Sequence, residues 1–148
     1  GLVFFATVRA CNRANLCIER GSQPVLEDLT APELDGPILV VGGNEVGGVA
    51  YAPRASAILI TLPSATDPES RTECEIQVVG DGGNGSVVLS AKVSTLAVSE
   101  VRLDSLLQGQ AVQGEVGVRF RCINEVGLVS VAESTRTLMI DDRAPRVT

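Results

Sequence analysis

The side chains able to do chemistry in this chain are four cysteines, several pairs of carboxylates and one asparagine in a glycosylation sequon; histidine is absent. Cys11 and Cys17 flank "NRANL", a stretch that reads as a hairpin turn. With Phe4, Val8 and Ala10 counted as facing inward, Cys11 faces outward, so a bridge to Cys17 clamps the turn. Closing so short a loop contributes about 2–3 kcal/mol by loop-closure arithmetic. Cys74 and Cys122 fall on inward positions of two alternating segments, and a bridge there contributes roughly 4 kcal/mol because the loop is long. Two sensible pairs point to an oxidising, extracellular compartment; the competing reading is four reduced thiols serving as small hydrophobes. Without histidine or a CxxC pair, a zinc site is disfavoured.

The carboxylates Asp28, Asp67, Glu69, Asp141 and Asp142 fall at segment ends, where acidic residues commonly cap turns. They are also the candidates for a Ca²⁺ ion, since "IDDRAP" (140–145) resembles the acidic Ala-Pro junctions of cadherins,. The internal acidic motifs that complete a cadherin site are missing, so solvated carboxylates and turn caps are the heavier alternative. Asn84-Gly85-Ser86 is an N-glycosylation sequon on the Gly-rich stretch "GDGGNGS" (80–86),. Catalysis is not expected. Ser64, Ser70 and Ser90 have no evident base, and the clusters "VGGNEVGG" (41–48) and "GDGGNG" lack the lysine and helix of a phosphate loop and read as turns.

Composition sets the frame for these residues. Of 148 residues, 45 % are apolar and only 3 % aromatic, so the core must be aliphatic. The net charge is −6. Residues 1–30 balance Arg9, Arg13 and Arg20 against Glu19, Glu27 and Asp28, which leaves 9 basic against 15 acidic residues in the remainder. Such a surface argues against nucleic acid or an anionic membrane as partner. No apolar run approaches the roughly 20 residues of a membrane helix, and the first residues do not form a signal peptide.

The chain also repeats itself. "TVRACNRANLCI" (7–18) and "VRFRCINEVGLVS" (118–130) both carry Arg, Cys, Asn and then Leu four positions beyond the Asn. Phe4 lies over Val116, Val8 over Phe120, Asn12 over Asn124 and Leu16 over Leu128, an offset of about 112. "LEDLTAP" (26–32) lies over "MIDDRAP" one residue later, the drift expected of a loop insertion. The period suits one β-sandwich module. Residues 1–30 are then the last two strands of one module, 31–143 a complete second module, and 144–148 the start of the next junction.

Within 31–143, period-two burial predicts about seven strands and no helix. They are 37–41; 56–62, with Ile58, Ile60 and Leu62 inward; 72–79, with Cys74, Ile76 and Val78 inward; 87–93; 99–106, burying Val101 and Leu103; 116–122; and 128–140. Residues 80–86 read as a hairpin turn. The fold class is all-β, an immunoglobulin-like or fibronectin III-like sandwich.

The motif order resembles a repeated fibronectin III-like extracellular module. Asp67, Glu69 and Ser70 match its D-x-E-S. Asn124, Gly127 and Leu128 match its N-x-A-G-L, with Val118 and Arg119 one residue out of step. Asp28, Thr30 and Pro32, and again Asp142 and Pro145, match its D-x-T-P-P junction. The chain departs from the pattern in "ITLPSA", which lacks the usual aromatic, and in Arg143 where Thr is the rule. The resemblance implies a tandem array in a surface or matrix protein of the kind found in algae and other protists, the ciliary-hair (mastigoneme) proteins among them. Its role is then that of a spacer or filament-forming subunit whose partners are neighbouring modules and other copies. Pro24, Pro32 and Pro37 are expected to stiffen the connection. The competing class is an adhesion or ligand-binding module using "TDPES" and "INEVG", with Arg71 as its anchor.

Overall fold

The computed structural model describes residues 2–80, 87–93, 100–110 and 112–141. Residues 2–26 form a long broken hairpin of β1 (Val3–Phe4), β2 (Thr7–Cys11), β3 (Cys17–Gly21) and β4 (Val25–Leu26). β2 pairs antiparallel with β3, and β1 with β4. All its described residues are exposed, its aliphatic and aromatic ones included.

From Asp28 onward the chain builds a core. The strands are β5 (Glu33–Leu34), β6 (Leu39–Val41), β7 (Asn44–Val46), β8 (Val49–Ala52), β9 (Leu59–Thr61), β10 (Ala65–Thr66), β11 (Thr72–Gly80), β12 (Val87–Val93) and β13 (Glu100–Arg102). One helical turn, α1 (Leu103–Leu107), precedes β14 (Gly114–Asn124), β15 (Val129–Glu133) and β16 (Thr137–Ile140). The large sheet runs β12-β11-β14-β16-β8-β7, with β15 also on β14; a second sheet runs β13-β9-β6. Among the described residues the strands pair antiparallel except β8 with β16, and a single parallel bridge joins Ile38 to Ser134. The fold is all-β, as composition and alternation predict.

Both sheets feed one aliphatic core. Ile38, Val40, Ile58 and Ile60 come from the smaller sheet and its approaches, Ile76, Val78, Val116, Val118, Phe120, Leu138 and Ile140 from the larger. Along β14 burial alternates without a miss from Val116 to Asn124, the signature of a strand with one face on the core,. The stretch around β6 to β8 serves both layers: Leu39–Val41 pair with β9, and Val49–Ala52 run parallel to β16. The crossing is a glycine turn. A side chain at Gly42, where φ is +110°, would meet the Ala57 carbonyl, so no other residue fits there,.

Four expectations need correction. "VGGNEVGG" is not only a turn: Gly47 and Gly48, both at positive φ, close a two-residue hairpin between β7 and β8,. The segment 56–62 begins as a 3₁₀ turn at Ala55–Ala57 and is a strand only over β9, although Ile58, Ile60 and Leu62 are all buried as expected. The segment 99–106 is a strand only to Arg102. It then coils into α1, which buries Leu103, Leu106 and Leu107 and stops at Gln108 and Gly109 in left-handed conformations. Finally, 128–140 is two strands broken at Ser134–Arg136. The turn 81–86 and residues 142–148 lie outside the described residues.

Candidate functional site

Three separate stretches meet beside the far end of β14. The segment 27–32 brings Asp28 and Thr30, the turn after β10 brings Asp67, Glu69 and Ser70, and β14 ends in Asn124. Asp28 and Asn124 are 7 % and 5 % exposed, the buried polar residues among those described. A buried carboxylate requires donors, and here the sequence supplies them.

Asn124 is the hub. Its Oδ1 accepts the Leu128 N–H at 2.8 Å, which fixes the tight turn closed by Gly127 at φ +90°. With that oxygen engaged, Nδ2 must face the carboxylates. It donates toward Asp28 Oδ2 at 2.9 Å, the Thr30 carbonyl at 2.9 Å and Asp67 Oδ2 at 3.1 Å. Two hydrogens serve three acceptors, so at least one contact is shared. The Ser70 hydroxyl supplies a further donor to Asp28 Oδ2 at 2.5 Å, and the Thr30 N–H reaches Asp28 Oδ1 at 3.1 Å.

Asp67 also folds its own turn. Its Oδ1 accepts the N–H groups of Glu69 at 2.9 Å and Ser70 at 3.1 Å, the self-capping for which Asp is favoured in turns,. The Glu69 N–H, followed by the Asn124 amide and the Ser70 donors, holds the Asp67 carboxyl below its ordinary value against an opposing desolvation. Thr30 Oγ1 donates to Glu69 Oε2 at 3.0 Å. Beyond this node Asp35 and Ser64 join the same segment to the module by the Ser64 N–H at 2.7 Å and the Ser64 hydroxyl. The proline-rich stretch is therefore not a free linker throughout: Pro32 is buried, and β5 pairs with β10.

The carboxylates named from sequence thus divide. Asp28, Asp67 and Glu69 converge, whereas Asp141 sits past β16 at the opposite end of β14, its N–H bonded to the Ala52 carbonyl. Asp142 and Asn84 lie outside the described residues. Among the described residues no group of three or more His, Cys, Asp or Glu side chains is arranged to hold a metal ion. The oxygens of Asp28 and Asp67 instead take N–H and O–H donors. Sequence reading missed the part played by Asn124, Ser70 and Thr30, although each stood in a quoted motif. The recurrence of Asn12 at the position of Asn124 signals the turn that both close, whereas no spacing along the chain signals the contacts with Thr30 and Ser70.

Next to the node is a cleft of ≈ 280 Å³ lined by Arg71, Thr72, Glu73, Ile123, Asn124 and Glu125. Arg71 is exposed at its rim, and Thr72 Oγ1 is buried without a hydrogen-bond partner.

Both cysteine pairs are bonded. Cys74 and Cys122 are directly opposed on β11 and β14, 4.1 Å apart at Cα, and Cys11 and Cys17 on β2 and β3, 4.0 Å apart. Two disulfides in a chain of this size fit a secreted or extracellular protein. No helix among the described residues is long and apolar enough to cross a membrane.

The repeat seen in sequence is a repeat in hydrogen bonding. Thr7↔Gly21 through Cys11↔Cys17 reproduce Arg119↔Glu133 through Ile123↔Val129 pair for pair. In the turns, Asn12 N–H bonds Leu16 and Asn15 N–H bonds Asn12, as Asn124 bonds Leu128 and Gly127 bonds Asn124. Asn12 Oδ1 takes the Leu16 N–H as Asn124 Oδ1 takes that of Leu128, and Asn15 is left-handed where Gly127 is. Even the Ser22 hydroxyl accepts the Ala6 N–H as Ser134 accepts that of Val118. Beyond these serines both hairpins slip. Val116 would face Arg136 without a slip but faces Leu138; Phe4 would face Pro24 but faces Val25. The second hairpin slips by two residues and the first by one, and that difference is the one-residue drift in the alignment. Comparison with family models, curated proteins and solved structures finds no match for the chain.

Proposed function

We propose that this chain is a load-bearing piece of a longer extracellular polypeptide built from tandem immunoglobulin-like or fibronectin III-like modules. Residues 1–30 are the closing hairpin of one module and 31–143 the next, acting as a spacer or filament-forming element at a cell or cilium surface. The observation that carries this reading is the register and turn bonding that the two hairpins share from Thr7↔Gly21 to Cys11↔Cys17 and from Arg119↔Glu133 to Ile123↔Val129. In one copy Phe120 is 3 % exposed on a full core; in the other its counterpart Val8 is 69 % exposed. A hairpin with that register and that apolar face is the end of a sandwich. Strand order adds support: the first, second and fifth main strands, β6, β9 and β13, share one sheet, and β12, β11, β14 and β15 the other, the division expected of such sandwiches,.

The role is non-catalytic. The node ties the incoming chain to the body of the module through Asp28, so that pull on the connection is met by Asn124, Ser70 and the turn at Asp67. Stretching the parent polypeptide in a single-molecule experiment tests the reading. Evenly spaced unfolding events, one for each repeat of about 112 residues (Asn12 to Asn124), are expected. A single event, or free thiols at Cys74 and Cys122 in protein taken from its native compartment, would refute it.

One observation favours a second reading, an adhesion or ligand-binding module: the cleft beside the node, with Arg71 exposed at its rim. Loss of surface attachment in Arg71→Ala, with unchanged melting, distinguishes it from the structural role.

A further inference from the structure

The hairpin of residues 2–26 has a bare apolar face and an unused strand edge, and the same chain contains the pattern that fills both. On β14, the counterpart of β2, the edge is taken by β11 in a register running from Thr72↔Asn124 to Gly80↔Val116. That strand lays Ile76 beside Phe120 and Val78 beside Val118, and Glu75 Oε1 meets Arg121 Nη1 at 3.4 Å. The corresponding positions on the hairpin are Val8, Ala6 and Arg9.

The edge of β2 is in the right state to accept such a strand. Bonds from Asn12 to Leu16 and from Ser22 to Ala6 fix which residues β2 commits to β3. In an antiparallel pair the alternate residues turn their N–H and C=O groups the other way, so Thr7, Arg9 and Cys11 present theirs outward. Among the described residues β2 pairs with β3 alone. The face beside that edge carries Phe4, Val8, Ile18 and Val25, all at least half exposed. A carboxylate opposite Arg9 would compete with Glu19, now 3.4 Å from the Arg9 guanidinium and itself in solvent, an exchange of one exposed ion pair for another,. Arg20 stands on this face where Ala132 stands in the other copy. Its long stem can lie along the apolar surface with the guanidinium at the rim.

We propose that the N-terminal hairpin is an acceptor for one antiparallel β-strand of defined chemistry, bound along β2. The occupant carries an aliphatic residue opposite Val8, another opposite Ala6 and a carboxylate opposite Arg9. Backbone bonds to Thr7, Arg9 and Cys11 give affinity, and the alternate apolar side chains give register. In the tandem reading that strand comes from the same polypeptide. The acceptor site rests on the equivalence that supports that reading, but it requires only the hairpin.

The probe is a synthetic peptide of residues 72–80 with Ala in place of Cys74, added to the full chain while amide exchange is followed residue by residue. Exchange at Thr7, Arg9 and Cys11 is expected to slow at least about tenfold, with little change at Val8 and Ala10, which are already bonded to β3. A peptide of the same composition with polar and apolar positions interchanged should have no effect. Val8→Asp should abolish the slowing, and because Val8 touches no core the module should melt as before; Arg9→Glu should weaken it with the hairpin intact. No slowing at millimolar peptide overturns the proposal. So does protection of the same amides without peptide in a chain that sediments as a dimer, which would make a second copy the occupant. Equally spaced modules in the parent with no peptide binding would sink this inference alone, and peptide binding without such modules the tandem reading alone.

Discussion

Phe4 and Val116 occupy equivalent places in two hairpins of one chain, and their surroundings differ as much as surroundings can. Val116 is 1 % exposed, Phe4 50 %. Yet a few residues further along, from Thr7 to Cys11 and from Arg119 to Ile123, the two backbones pair with their return strands in the same order. Register in these hairpins is therefore a local property, set by an Asn that accepts the N–H four residues on and by a left-handed residue before the return strand. Burial is not local. It depends on what the rest of the chain brings to the face, and only β14 is met by β11, β16 and the second sheet.

The comparison can be broken most forcefully at the buried face. Phe120→Ala is expected to destabilise the module by about 3–5 kcal/mol, whereas Val8→Ala should stay within about 0.5 kcal/mol. Urea unfolding followed by circular dichroism measures both. Equal effects would mean that the hairpin already has a core. The disulfides should separate next. Replacing Cys74 and Cys122 together by Ala opens a bridge spanning 48 residues and should cost roughly 3–4 kcal/mol. Replacing Cys11 and Cys17 should fray the hairpin alone, seen as faster exchange at Val8 and Ala10, which are bonded to β3, with the urea midpoint unchanged.

Asn124→Ala against Asn12→Ala sharpens the contrast at the turns. The first removes the amide from buried Asp28 and should cost about 2–3 kcal/mol in the same urea titration. The second frees only the exposed N–H groups of Ala14 and Leu16 and should leave the midpoint where it was. The smallest expected effect is on pH. Asp67 is held low chiefly by the Glu69 N–H, Asp35 by the Ser64 hydroxyl and Glu75 by the Ser90 hydroxyl. A carboxyl with a depressed folded value stabilises the fold above its unfolded value and loses that contribution as pH falls through the folded one. Melting temperature should therefore be level above the ordinary values of 3.8 and 4.5 and decline below them. Asp67→Asn should flatten part of that decline, and exchange within 2–26 should not follow it.

How far the sequence could be read follows from the range of the forces involved. Alternation along 72–79 and 116–122 gave the two central strands and their inward cysteines, because one face on a core leaves a period-two trace in any strand. The turn of α1 left none: five residues are too few for a helical period, and Leu103, Leu106 and Leu107 suit a helix or an irregular edge equally well. The break at Ser134–Arg136 was hidden for a related reason, since the slip that moves the chain along β14 is set by the Ser134–Val118 bonds rather than by a breaker such as proline.

The sequence by itself determined the all-β class, the aliphatic core, the pairing of the cysteines and the existence of a repeat, since each is written in spacing along the chain. Tertiary structure alone decided which copy of the hairpin is buried, and that Asp28, Asp67 and Asn124 belong to one node. Hydrogen-bond donors reach about 3 Å, and residues separated by 96 positions come that close only after the sheets have assembled.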